Sequence, residues 1–240
     1  MARLLSPPVG LGTTSIEPLS GPRSVGGGTT TSVSNYQQTV ASPFGLWRWR
    51  LSFPAMQGSL FRRYRGWISA LHGGANATRW TFFDPDCMTF QEAGVNASQF
   101  EIATGKPWSN GQPWANKENW QSSRPVVSVA SAASLNATII SLANQWWGHR
   151  LGVGDYVGFF PFHFGMYEIT EVIEPGRYRI WPPLDKAIAA TDFATLSPTL
   201  ALRLESEEAA SAGRGLVAAE SLSATLVQVK DYDVRDYFAD

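Results

Sequence analysis

Between Trp47 and Phe53 every second residue is large and apolar: Trp47, Trp49, Leu51 and Phe53 alternate with Arg48, Arg50 and Ser52. A period of two puts the four apolar side chains on one side of a β-strand, and Pro54 ends the pairing. The chain then changes period. Leu60, Tyr64, Trp67, Ile68 and Leu71 fall at i, i+4, i+7, i+8 and i+11, the stripe of an amphipathic helix, and Gly73-Gly74 supplies its stop. Trp80 and Phe82 alternate with Arg79 and Thr81, which predicts a second strand, closed by Asp84-Pro85-Asp86. Each of these elements has one apolar side, so the strand face is expected to pack on the helix stripe.

The remainder reads mostly as strands and turns. Cys87 to Arg124 is an irregular, turn-rich excursion that carries Trp108, Trp114 and Trp120. Short β-type runs follow at Val126–Ala130 and Ala137–Leu142. After Trp146-Trp147-Gly148, further runs at Tyr156–Phe160, Phe164–Val172 and Tyr178–Trp181 are separated by turns. That spacing predicts a small antiparallel barrel or sandwich. Leu200, Leu202 and Leu204 alternate again, and Ala224–Val229 reads as a last strand. The first forty residues differ from all of this. They are Gly- and Thr-rich, with the run Gly26-Gly27-Gly28-Thr29-Thr30-Thr31, and have too few bulky side chains to form a core alone. They are read as a leader, either flexible or ordered as an arm on a neighbouring subunit.

Composition narrows the function classes. Lys and Arg number 19 against 20 Asp and Glu, a net charge of −1, which argues against a protein devoted to binding nucleic-acid phosphates. Charged residues make up 16% of the chain, against roughly 25% in ordinary domains, while 10 tryptophans contribute to a 12% aromatic content. A charge-poor, aromatic-rich surface is suited to making contacts. One cysteine, Cys87, rules out an internal disulfide, and three scattered histidines offer no metal-ligand spacing. No run of about 18 apolar residues occurs, so no spanning helix is expected.

No catalytic, metal or cofactor site is expected. Gly152-Val153-Gly154-Asp155 precedes a strand instead of a helix and reads as a turn, not a phosphate loop. His163 stands among Phe160, Phe162 and Phe164 and reads as a packed barrel histidine. Asp84 and Asp86 suit a turn; a distant pair of carboxylates, as in a hydrolase, stays open. Two sets of residues are candidates for contact. Trp108, Trp114, Trp120, Trp146 and Trp147 lie in or beside loops, where indole planes stack on sugars or fill a partner's pocket. Arg48, Arg50, Arg62, Arg63 and Arg65 form solvated strand and helix faces, or else pair with an acidic end such as Asp231, Asp233, Asp236 and Asp240 on a neighbour.

The ordered string Trp49-Arg50-Leu51-Ser52-Phe53-Pro54-Ala55-Met56, the helix with Arg65-Gly66-Trp67 and Leu71, and Trp80-Thr81-Phe82-Phe83-Asp84-Pro85-Asp86 resemble the opening of distal tail proteins of long-tailed phages, prophages and gene-transfer particles. Leu151–Val157, Tyr167–Val172 and Ile180-Trp181-Pro182-Pro183-Leu184 resemble the same family further on, although Asp185 stands where the family often has Arg. The resemblance covers roughly Trp47 to Leu204. It implies a structural virion protein, assembled in the host cytoplasm, that forms a homo-hexameric ring at the distal end of the tail tube. Its implied partners are the tail tube protein, the tail-tip hub protein and a receptor-binding or fibre protein, with no cofactor, no nucleic-acid sequence recognition and no membrane insertion.

The expected fold is therefore mainly β with a small α+β ring domain. A strand-helix-strand unit at 41–86 is completed by C-terminal strands at 196–240, and an antiparallel barrel or sandwich at 87–195 is inserted between them. Residues 1–40 are the leader or assembly arm. The alternative is a carbohydrate-binding β-sandwich module that uses the loop tryptophans.

Overall fold

The computed structural model describes the chain except for residues 1–2, 21–28, 40–44, 95–100, 102–104, 121–124, 144–145, 212, 216–217, 221 and 231–240. The described residues are mainly β, with one α-helix and two principal sheets. In chain order, β1 is Leu4–Leu5, β2 Ser15–Ser20, β3 Thr29–Thr31, β4 Gln37–Thr39, β5 Arg48–Phe53, α1 Gly58–Ala70 and β6 Ala77–Thr81. Then come β7 (Val126–Ser131), β8 (Ile139–Leu142), β9 (Tyr156–Phe160), β10 (Tyr167–Glu174), β11 (Arg177–Trp181) and β12 (Phe193–Thr195). The last strands are β13 (Thr199–Leu204), β14 (Ala210–Ser211) and β15 (Leu222–Gln228). These elements fall into two units, one of residues 1–81 with 199–240, the other of residues 82–198.

In the first unit the strands run β1-β6-β13-β15-β5-β2, with β14 also on β15. Trp49, Leu51 and Phe53 of β5 face the core with Leu222, Ala224 and Leu226 of β15, as their alternation requires. Phe61, Tyr64, Trp67 and Leu71 are the buried stripe of the helical segment. Leu60 and Ile68, expected on that stripe, are only half-buried, and Phe61 takes the flank instead. The Phe53 ring meets Tyr64, Trp67 and Trp80 edge-on at 5.2, 6.2 and 6.3 Å, so strand and helix share one aromatic core. Trp67 Nε1–H donates to Thr78 Oγ1 at 3.3 Å and Tyr64 O–H to the Ser211 carbonyl at 3.0 Å, which satisfies two buried polar groups.

The helix stops where its backbone turns left-handed. Gly73 and Gly74 have φ of 61° and 100°, and a Cβ on Gly74 would lie 2.4 Å from the Leu204 carbonyl oxygen, so only glycine fits.

Part of the stretch read as a leader lies in the first sheet. Arg3 and Ser15–Ser20 are tied into their own chain: β1 pairs parallel with β6, and β2 antiparallel with β5, where Glu17 meets Arg50. Pro18 within β2 is compatible with this, because β2 is an edge strand and its outer side needs no donor. β3 and β4 form a separate two-stranded ribbon whose turn displays Val33 and Tyr36 to solvent. Residues 21–28, with the Gly-rich run, lie outside the described residues.

In the second unit, β10-β11-β8-β7-β12-β9 pair antiparallel in sequence around a closed barrel, with β9 returning to β10. Val127, Val129, Ile140, Leu142, Val157, Phe159, Tyr167, Ile169, Tyr178 and Ile180 point inward from alternate positions and fill it. Gly158 makes a close approach possible, since a Cβ there would lie 2.8 Å from Pro198.

Candidate functional site

Among the described residues, four places that bring chemistry-bearing side chains together bear on function. The first is the arginine set of the first unit. Arg48 is ion-paired with Glu205, and Arg50 with Glu17 at 3.2 Å, both as exposed pairs that add little stability. Arg62, Arg63 and Arg65 are exposed on α1, and an Arg63 guanidinium N–H reaches the Val9 carbonyl at 3.5 Å. Asp231, Asp233, Asp236 and Asp240 lie outside the described residues.

The second place is an open depression in the second unit, lined by Asp86, Cys87, Met88, Glu92, Arg150, Gly152 and Asp155. Its polar groups hold loops together. Asp155 accepts the Met88 N–H at 2.8 Å on one oxygen and the Gly152 N–H at 2.7 Å on the other, which makes Gly152–Asp155 the turn that leads into β9. Glu92 accepts the Thr89 N–H at 2.8 Å and the Thr89 hydroxyl at 2.9 Å, and these bonds hold its carboxyl below the usual range. Arg150 donates to the Glu92 carbonyl. Burial, with Asp84 and Asp155 nearby, pushes the Cys87 thiol up to about 12, so it stays protonated near neutrality. Asp84 Oδ1 accepts the Asp86 N–H at 2.9 Å, a turn as its sequence predicts. Among the described residues no group of three or more His, Cys, Asp or Glu side chains is placed to hold a metal ion.

The third place is His163, which is buried and lies 2.6 Å from the Tyr167 hydroxyl through Nε2. The Tyr167 oxygen also accepts the Asp185 N–H at 3.0 Å. Burial, reinforced by the Lys186 charge, pushes the imidazole down to about 3. Gly165 makes room for this latch, because a Cβ there would lie 2.4 Å from the Tyr167 hydroxyl. The network is a fixed support for the loop after β9. On that loop Phe162 is exposed at a φ of 53°, with Lys186 donating to its carbonyl at 2.6 Å.

The fourth place is the tryptophan loop. Trp108, Trp114 and Trp120 form a closed triangle with ring centroids 5.1, 5.4 and 4.7 Å apart and planes inclined by 57–73°. Each nevertheless keeps 42–48% of its surface exposed, and none belongs to the barrel core. Of the other two candidates, Trp147 is fully buried among barrel residues, because the short 3-10 turn Trp146–His149 folds it inward; it offers no binding face. The Trp146 side chain lies outside the described residues.

The sequence reading missed two features here. One is the His163–Tyr167–Asp185 network, whose only signal was the four-residue spacing of His163 and Tyr167. The other is that Trp108 and Trp114 open two copies of one turn, visible in the sequence as Trp-Ser-Asn-Gly-Gln and Trp-Ala-Asn-Lys-Glu. Comparison with protein families and with curated proteins finds no match to this sequence. Among the described residues no helix is long and apolar enough to cross a membrane.

Proposed function

We propose that the protein is a structural subunit of the tail tip of a long-tailed phage, prophage or gene-transfer particle. It forms a homo-hexameric ring that joins the tail tube to the hub and its adsorption apparatus. The observation that carries this reading is the path of the family-like residues. Trp49–Met56 runs along β5 into the turn before α1, Arg65-Gly66-Trp67 lies on α1, and Trp80–Asp86 runs from the end of β6 into its closing turn. In this reading the first unit, with its sheet and single helix, is the ring domain, and the barrel is an insertion between its halves.

One feature of the first unit supports an assembled state. A two-stranded ribbon is marginal in water by itself, and β3–β4 is such a ribbon, displaying Val33 and Tyr36. Head-to-tail contacts between identical subunits close into rings when the rotation permits, and the β3–β4 ribbon and the Arg62–Arg65 face are the surfaces assigned to them. Sedimentation at high concentration with negative-stain imaging tests the reading. A six-fold ring is expected. A monomer at every concentration, with no ring on intact particles, overturns it.

A further inference from the structure

The tryptophan loop is built with more order than a connection needs. In its first turn Trp108 N–H donates to the Gln112 carbonyl at 3.0 Å and Gly111 N–H to the Trp108 carbonyl at 2.8 Å. In the second, Trp114 N–H donates to the Glu118 carbonyl at 2.7 Å and Lys117 N–H to the Trp114 carbonyl at 2.7 Å. The side chains repeat as well: Asn110 Oδ1 accepts the Gln112 N–H at 3.0 Å, and Asn116 Oδ1 the Glu118 N–H at 3.1 Å. Both turns carry a left-handed residue, Gly111 at φ 77° and Lys117 at φ 67°. Lysine is uncommon there and such a conformation persists only where the surroundings fix it. Lys106 and Trp120 exchange backbone hydrogen bonds of 2.7 and 2.9 Å and close the loop at its base. The result is two copies of one turn that hold three indoles in a fixed triangle, each nearly half exposed.

The rings pack on one another and contribute nothing to the barrel core, so their uncovered area is surface available to a ligand. The other side chains of the loop are largely neutral and polar. From Gly105 to Trp120 only Lys106, Lys117 and Glu118 ionise, while Ser109, Asn110, Gln112, Asn116 and Asn119 carry hydroxyl or amide groups. The Gln112 amide is exposed and engages no protein group among the described residues. Two lysines offset by a glutamate do not suit a polyanion, for which binding scales with the number of phosphates neutralised. Exposed indole faces in a loop of amide and hydroxyl side chains suit a molecule with an apolar C–H face edged by hydroxyls. We infer that the Trp108–Trp114–Trp120 knob is a binding site for a neutral carbohydrate chain, with indole faces stacked on sugar rings and the Gln112 amide bonded to a hydroxyl. This rests on the loop alone and not on the tail-tip reading; a monomer that binds sugar would sink the ring and leave the site standing.

Affinity electrophoresis of the full chain is the test, in native gels cast separately with a glucan, a mannan, a xylan and a galactan. Polygalacturonate serves as an anionic control, and deca-proline, followed by tryptophan fluorescence, as a peptide control. The parent should be retarded in at least one neutral gel. Trp120→Ala should weaken that retardation on the order of tenfold or more in Kd, as loss of a central aromatic anchor does. Gln112→Ala, which leaves the turn backbone and the indoles in place, should weaken it about three- to tenfold with an unchanged melting temperature. Absence of retardation in all four neutral gels overturns the inference. So does equal retardation of the parent and both variants, or binding confined to polygalacturonate or to deca-proline.

Discussion

Mild acid should destabilise the barrel through one residue, His163. In the folded chain burial and the Lys186 charge push its pKa down to about 3, whereas an unfolded histidine titrates near ~6.5. Unfolding therefore takes up a proton at any pH between those values. The stabilisation from keeping the ring neutral is whole above the unfolded value and is lost as pH falls from about 6.5 towards 3. Each unit of pH in that window removes about 1.4 kcal/mol, so by about pH 5 the loss is about 2 kcal/mol, against almost nothing at about pH 7.5. His163→Gln keeps a neutral hydrogen-bonding group near Tyr167 and removes the titration. Urea unfolding of both proteins at about pH 7.5 and about pH 5 isolates the effect, because carboxylate titrations are common to the two and cancel in the difference. The parent should lose about 2 kcal/mol more than the variant across that interval. Equal losses in parent and variant would refute the assignment of His163 as a buried, neutral ring.

The aromatic core of the first unit gives a second expectation: Trp67→Ala should cost about 3–5 kcal/mol, because it empties a site packed by Phe53, Tyr64 and Trp80 and leaves Thr78 without its donor. An unchanged urea midpoint would show that the helix stripe is not core. Gly74→Ala and Gly111→Ala make a paired comparison, since both residues have positive φ but only Gly74 meets backbone, at 2.4 Å. Thermal melts should place Gly111→Ala at a loss of about 1 kcal/mol and Gly74→Ala well beyond it; equal losses would contradict the helix-stop geometry. Cys87, pushed up to about 12, should react with iodoacetamide at about pH 7.5 far more slowly in the native chain than in urea, and equal rates would show that its burial has no effect on the thiol.

The sequence was most legible where a local period was long enough to fix a face. Trp47 to Phe53 alternates over seven residues, and Tyr64, Trp67 and Leu71 repeat over two helical turns, so both elements and their facing sides could be read directly. At the edge of the stripe that reading loses resolution. Leu60 and Phe61 precede Tyr64 by four and three residues, and both positions border the same face. Phe61 is the buried one, with the Arg214 guanidinium 5.9 Å over its ring, a contact from a distant part of the chain that no local period contains. β2 was obscured by Pro18, which argues against a strand unless the strand is known to be an edge. β12 has three residues, too few to show any period, yet it pairs with both β7 and β9.

The tryptophans show the same limit at the level of a site. Trp147 and Trp114 are alike as residues, and each stands beside turn-forming neighbours, so composition gave both the same role. What separates them is distance along the chain to the groups that cover them. Trp147 sits next to Gly148, where a Cβ would lie 2.5 Å from the Ala143 carbonyl, and this close approach tucks the indole into a core drawn from every strand of the barrel. Among the described residues Trp114 has Trp108 and Trp120 as its ring partners, each six residues away, which hold its ring and leave much of it uncovered. A buried indole therefore needs non-local pairing that its own neighbourhood does not record. An exposed cluster held by local turns leaves a trace in the sequence, here the twice-used Trp-x-Asn turn. The turns that hold these indoles are local, whereas the barrel closes through strands far apart in sequence, so its covering contacts are written nowhere near the residues they bury.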